Sequence, residues 1–125
     1  MAISNPYRLA NELVFNAVSM TSNQESQPYD IAEAGNCSLN AYWSGSSPSG
    51  TLYIYGSNGT STGQIPLSSD PSWAEVSSSS VSGSTGSVMV NLAGDNRPSY
   101  YYIMFSYTAS SGSGNLTARF AEKKD

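Results

Sequence analysis

Apolar side chains recur at every second residue of this chain, in short stretches, and only extended strands turn that spacing into a buried face. From Cys37 to Trp43, the residues Cys37, Leu39, Ala41 and Trp43 fall on one side and Ser38, Asn40 and Tyr42 on the other. Thr51 to Ser57 sets Leu52 and Ile54 against Tyr53 and Tyr55, and Asn115 to Ala121 sets Leu116, Ala118 and Phe120 against Thr117 and Arg119. In Tyr100 to Thr108 the sets Tyr101, Ile103, Phe105 and Tyr107 against Tyr102, Met104 and Ser106 are apolar on both faces, which predicts a central strand. Leu13 to Met20, Trp73 to Val76 and Ser87 to Leu92 complete seven runs, separated by clusters of Gly, Ser, Pro and Asn. Helical spacing is confined to a scrap at Pro6 to Leu13 and a turn at Ile31 to Ala34. The pattern predicts an all-β fold, an antiparallel β-sandwich of immunoglobulin-like or jelly-roll-like kind over residues 13–125, behind an N-terminal arm of residues 1–12. Hairpins are expected across Ser44 to Gly50 and across Ser110 to Gly114.

Composition narrows the function. At 125 residues the chain is one domain's worth. Charged residues make up 11%, against about 25% in an average soluble domain, while nine Tyr, three Phe and two Trp supply material for a core. Histidine is absent, so neither a Ser-His-Asp nor a Cys-His site can be assembled, and the commonest metal ligand is missing. The single cysteine excludes an internal disulfide and a multi-cysteine zinc site, and Cys37 reads as a small buried hydrophobe. A net charge of −4 and a pI near 4.5 argue against nucleic acid as a partner. No run of about 18 apolar residues suits a membrane span, and no basic-then-apolar leader opens the chain, so a soluble product made and folded in a cytosol is expected.

Of the large aromatics, Trp43, Trp73, Phe105 and Phe120 fall on faces expected to be buried. Tyr42, Tyr53, Tyr55 and Tyr102 fall on the opposite faces and would form an aromatic patch if their strands are neighbours. Such a patch suits protein contact or sugar stacking; a subunit interface or cross-strand pairing within one sheet would use the same residues. Asp30, Glu33, Glu75 and Asp95 show no spacing that favours a paired-carboxylate hydrolase and read as solvated charge. Asp70, Asp95 and Asn96 lack a compact calcium-loop pattern. Asn58-Gly59-Thr60 and Asn115-Leu116-Thr117 match the N-glycosylation pattern, though Asn58-Gly59 reads more simply as a turn. No catalytic residue, cofactor site or metal site is assigned. In the arm, Ile3, Pro6, Tyr7 and Leu9 stand outside the alternating core and could clamp a neighbouring subunit.

One order of motifs covers the segment from Ser26 to Lys123: Ser26-Gln27-Pro28-Tyr29-Asp30-Ile31, then Leu39-Asn40-Ala41-Tyr42-Trp43-Ser44-Gly45, then Gly50-Thr51-Leu52-Tyr53-Ile54-Tyr55-Gly56-Ser57-Asn58, then Trp73, then Tyr102-Ile103-Met104-Phe105-Ser106-Tyr107-Thr108 and Ser110-Ser111-Gly112-Ser113-Gly114-Asn115-Leu116. It resembles a group of small β-sandwich proteins encoded among the virion structural genes of tailed bacteriophages. In that group a strand ending in Trp-Thr-Gly precedes a Gly-Thr-Leu strand and a Ser-Asn-Asp-Gly turn, and a Tyr-Thr-x-x-Ser-Gly-Thr-Gly hairpin closes the domain. Here Ser57-Asn58-Gly59-Thr60 lacks the Asp, and a longer Ser-rich insert precedes Trp73. The resemblance implies a head decoration or cement protein located in the virion. Its partners would be the major capsid protein or other virion subunits, and it would form a homo-oligomer on the particle. The alternative is a carbohydrate-binding or receptor-binding module of a tail or spike, with a host glycan as ligand.

Overall fold

A computed structural model describes residues 9–31, 36–93 and 98–123. These form seven strands: β1 (Leu9–Ser19), β2 (Gln24–Glu25), β3 (Tyr29–Asp30), β4 (Asn36–Ser57), β5 (Ala74–Val81), β6 (Thr85–Leu92) and β7 (Tyr102–Lys123). All pairings are antiparallel, and no helix occurs among the described residues.

The all-β expectation holds, but the chain is joined differently from the hairpin reading. Cys37 to Trp43 and Thr51 to Ser57 are two halves of one 22-residue strand, β4, and Tyr102 to Thr108 and Asn115 to Ala121 are two halves of another, β7. The two lie side by side from Asn36↔Lys123 to Ser57↔Tyr102. The first half of β4 and second half of β7 are flanked by β6 and β1; the second half of β4 and first half of β7 are flanked by β5 and by β2 and β3. The sheet is therefore a ribbon of four strand paths, with β7 central as its two apolar faces predict.

This ribbon folds across its middle. Opposite bulges make the corner: Ser47 and Pro48 together oppose the single residue Gly112 between Ser46↔Ser113 and Ser49↔Ser111, and Ser110 is extra on β7 one step later. Ser47 has φ of 51° and Gly112 has φ of 76°. Pro48 has no N–H to give to the ladder, which suits it to such a break. The flanking paths turn at the same level, tied in by Met20 N–H to the Gly114 carbonyl and Gly45 N–H to the Ser84 carbonyl, each 2.9 Å. The Ser- and Gly-rich segments expected as loops are thus the crease of a continuous sheet.

Folding brings the inward faces together as the core. Leu39, Ala41, Trp43, Leu116, Ala118 and Phe120 of one half meet Leu52, Ile54, Ile103, Phe105 and Tyr107 of the other in a single buried cluster. Phe15 and Met20 close one side, and Val81 and Leu92 the other. Trp43 is 6% exposed; its indole lies where a Cβ on Gly86 would be, and its Nε1–H donates to the Ser82 carbonyl at 3.2 Å. Trp73, expected in the core, is only half-buried: it stands just before β5, and its Nε1–H is held by the Leu67 carbonyl at 2.8 Å. Residues 9–12, assigned above to the arm, pair with 120–123 of β7, and the Pro6 to Leu13 scrap is strand from Leu9 onward. Ile3, Pro6 and Tyr7 lie outside the described residues, as do Glu33, Asp95 and Asn96.

Candidate functional site

The four tyrosines singled out from the sequence are divided by the fold. Tyr53 and Tyr55 project from the outer face of the half built from the second part of β4, and Tyr102 is near them because its Cα partner is Ser57, two residues beyond Tyr55. Tyr42 is on the outer face of the other half, paired with Thr117 and Ser87. Two surfaces result, on opposite sides of the folded sheet.

On the first, the Tyr53 and Tyr55 rings stack with centroids 5.9 Å apart and planes at 27°. Met104 is the cross-strand partner of Tyr55 and alternates with the core residues Ile103 and Phe105, so it faces outward, yet it is only 3% exposed. Tyr102 meets the edge of the exposed Tyr101 ring at 6.4 Å, and its hydroxyl reaches the Gly63 carbonyl at 3.5 Å. That contact places the 58–73 loop beside the patch. Within the loop, the Ser57 and Ser72 hydroxyls bond at 2.6 Å and Asp70 Oδ1 accepts from Ser72 N–H at 2.9 Å, a local turn rather than a cation site. Ile65 and Leu67 are exposed at its outer edge. In the sequence these two apolar positions are hidden within a Ser-rich insert and show no sustained alternation that would single them out.

On the second surface, Tyr42 is 48% exposed and stands in a shallow groove of about 640 Å³, with Asn115 and Thr117 of β7 and Ser44 of β4 beside it. Asn115, noted from the sequence only as a glycosylation pattern, is exposed here.

At one end of the sheet, Asp30 of β3 and Glu12 of β1 each act on Glu122 of β7. Burial, then the Asp30 and Glu12 carboxylates, raise the Glu122 pKa. Beside them Cys37 is pushed up to about 12, first by burial and then by Glu122, so its thiol is held neutral. Tyr100 is also pushed up to about 12, by burial and then by Cys37. Among the described residues no group of three or more potential ligands is placed to hold a metal ion. Sequence spacing could not have shown the carboxylate trio, because the members are adjacent only through pairing of distant strands.

No family model matches the chain, and no curated protein matches it. Solved structures do. It is similar to the SPBc2 prophage-derived protein YomS, at 16% identity over 97% of this chain and 99% of that one, with a TM-score of 0.47. It is similar to a CBM4 structure at 8% identity over 81% and 58%, TM-score 0.44, and to a chain of the naturally occurring empty particles of cowpea mosaic virus at 9% identity over 100% and 88%, TM-score 0.42. A prophage protein and a viral capsid thus stand among its β-rich neighbours. Likeness of this degree says nothing about function.

Proposed function

We propose that the chain is a non-enzymatic structural component of a phage virion, which decorates the outside of the head and ties neighbouring capsid subunits together. The observation that carries the reading is the stacked Tyr53–Tyr55 pair, with Met104 opposite Tyr55 on β7 and Tyr102 opposite Ser57. Tyrosines bring large contact area at low entropic cost, and their hydroxyls tolerate a wet rim. Stacking fixes these two rings before any partner arrives, so little ordering remains to be done on binding. A decoration protein gains from such modest contacts because particle symmetry repeats each of them. The phage-like motif order supports the same role, with Ile3, Pro6 and Tyr7 as a clamp on the adjoining subunit, Leu9 being paired with Lys123 inside the sheet.

The test is reconstitution on heads that lack the protein. Wild-type chain should load at fixed stoichiometry and protect heads against heat, whereas Tyr53→Ser/Tyr55→Ser should remain folded and fail to do either. Deleting residues 1–8 should weaken loading and leave the sheet intact. Failure of the wild-type chain to associate with heads, or undiminished loading by the double variant, would sink the proposal.

A further inference from the structure

The groove around Tyr42 has features that a general surface does not. It crosses all four strand paths of its half, from Ala17 on β1 over Thr117 and Asn115 on β7 and Tyr42 and Ser44 on β4 to Ser87 on β6. Three inter-strand spacings of about 4.8 Å give it a length of roughly 14 Å. Its β1 wall is a bulge: Asn16 and Ala17 together oppose the single residue Thr117 between Phe15↔Ala118 and Val18↔Leu116. Ala17 has φ of 50°, in the left-handed region that an alanine rarely adopts. That conformation turns the Ala17 N–H onto Thr117 Oγ1 at 3.2 Å and leaves only a methyl group at this end of the groove. Bulges are enriched at sites where a strand must re-aim its groups, and a strained residue directs attention to what it shapes. On the far side Gly86 contributes no side chain.

We infer that this groove binds a neutral saccharide, with the Tyr42 ring as its stacking platform and Asn115, Thr117, Ser44 and Ser87 as its hydrogen-bonding groups. None of the nine residues lining it is charged, so it offers nothing to neutralise a phosphate, sulfate or carboxylate. Arg119, next along the same face, is engaged with Asn11 Oδ1 at 3.0 Å. What the lining does offer is one exposed aromatic face and a row of hydroxyls with one amide, each able to donate and accept. A pyranose presents the matching surfaces, an apolar C–H face and a rim of hydroxyls. The volume is within the range of small-ligand sites, and the open ends suit an internal stretch of an oligosaccharide. The inference does not depend on the virion reading. In a decorating protein held by its Tyr53–Tyr55 face, the Tyr42 groove would point away from the head.

The test is calorimetric titration of the full chain with neutral oligosaccharides of glucose, galactose, mannose and N-acetylglucosamine, with a sialylated and a sulfated glycan as charged probes. At least one neutral oligosaccharide should bind. Tyr42→Ala should weaken it about tenfold or more, Asn115→Ala should weaken it too, Tyr42→Trp should retain it, and Tyr53→Ser/Tyr55→Ser should leave it unchanged. Chemical-shift changes in wild-type protein should centre on Ala17, Ser87, Asn115 and Thr117, a readout that does not depend on any variant folding. Absence of binding by every neutral probe at millimolar concentration, binding confined to the charged probes, or shift changes centred elsewhere would overturn the inference.

Discussion

Phe105 and Phe120 lie on the same strand, β7, and their ring centroids are 5.2 Å apart. Fifteen residues of straight strand would separate them by about 50 Å at 3.3 Å per residue. The strand must therefore fold back on itself, and the contact is direct evidence that the two halves of the sheet pack face to face.

The crease depends on Gly112. Its φ of 76° disfavours any other residue, and a Cβ there would run into the Ser47 carbonyl and Pro48 Cα, which are backbone and have no easy way to move. Gly112→Ala is expected to destabilise by more than the roughly 1–2 kcal/mol that the conformation alone costs. Urea unfolding measures it, and a near-neutral result would mean that the crease is not built as described.

Trp43→Ala is expected to cost about 3 to 5 kcal/mol, as removal of a large buried ring usually does. It would also leave the Ser82 carbonyl without the indole donor and open a void over Gly86. A loss of less than about 1 kcal/mol in unfolding free energy would place the ring outside the core.

Ser26 replaces a missing rung between β2 and β3. Its Oγ accepts from Phe105 N–H at 2.9 Å, donates to the Gln27 carbonyl at 2.9 Å, and is buried. Ser26→Ala strands the Phe105 amide, so a loss of about 1–3 kcal/mol is expected, together with faster amide exchange at Phe105 than in the wild type.

Glu122 has a pKa raised above its ordinary 4.5, chiefly by burial, so the folded chain holds this proton more tightly than the unfolded one. Its contribution to stability is complete below 4.5 and is lost as the pH rises through the folded-state value. Thermal unfolding midpoints followed upward from pH 4.5 should show this loss in wild type and a shallower slope in Glu122→Gln. Identical slopes would mean that Glu122 is solvated.

Cys37, with its pKa near 12, should be almost wholly thiol at pH 8 and buried as well. A disulfide reagent should therefore modify it only on unfolding. Rapid stoichiometric labelling of the native chain would contradict the burial.

Much of the secondary structure and nearly all of the core were legible in the sequence. Alternation is a local property, so Leu39, Ala41, Trp43, Leu52, Ile54, Phe105, Leu116 and Phe120 could be placed on inward faces without knowing their partners, and each is buried. Where alternation stops, the reading stopped. Ser44 to Gly50 and Ser110 to Gly114 carry the residues of a hairpin loop, yet they form a crease because two distant strands stay in register and bulge opposite one another. That outcome rests on the fit of Ser47 against Gly112, a contact between residues far apart in the chain. The same fold decided the fate of the tyrosines. Their outward phase was set by position along each strand, but the crease lies between Tyr42 and Tyr53, so one prospective patch became a stacked pair on one side and a polar groove on the other.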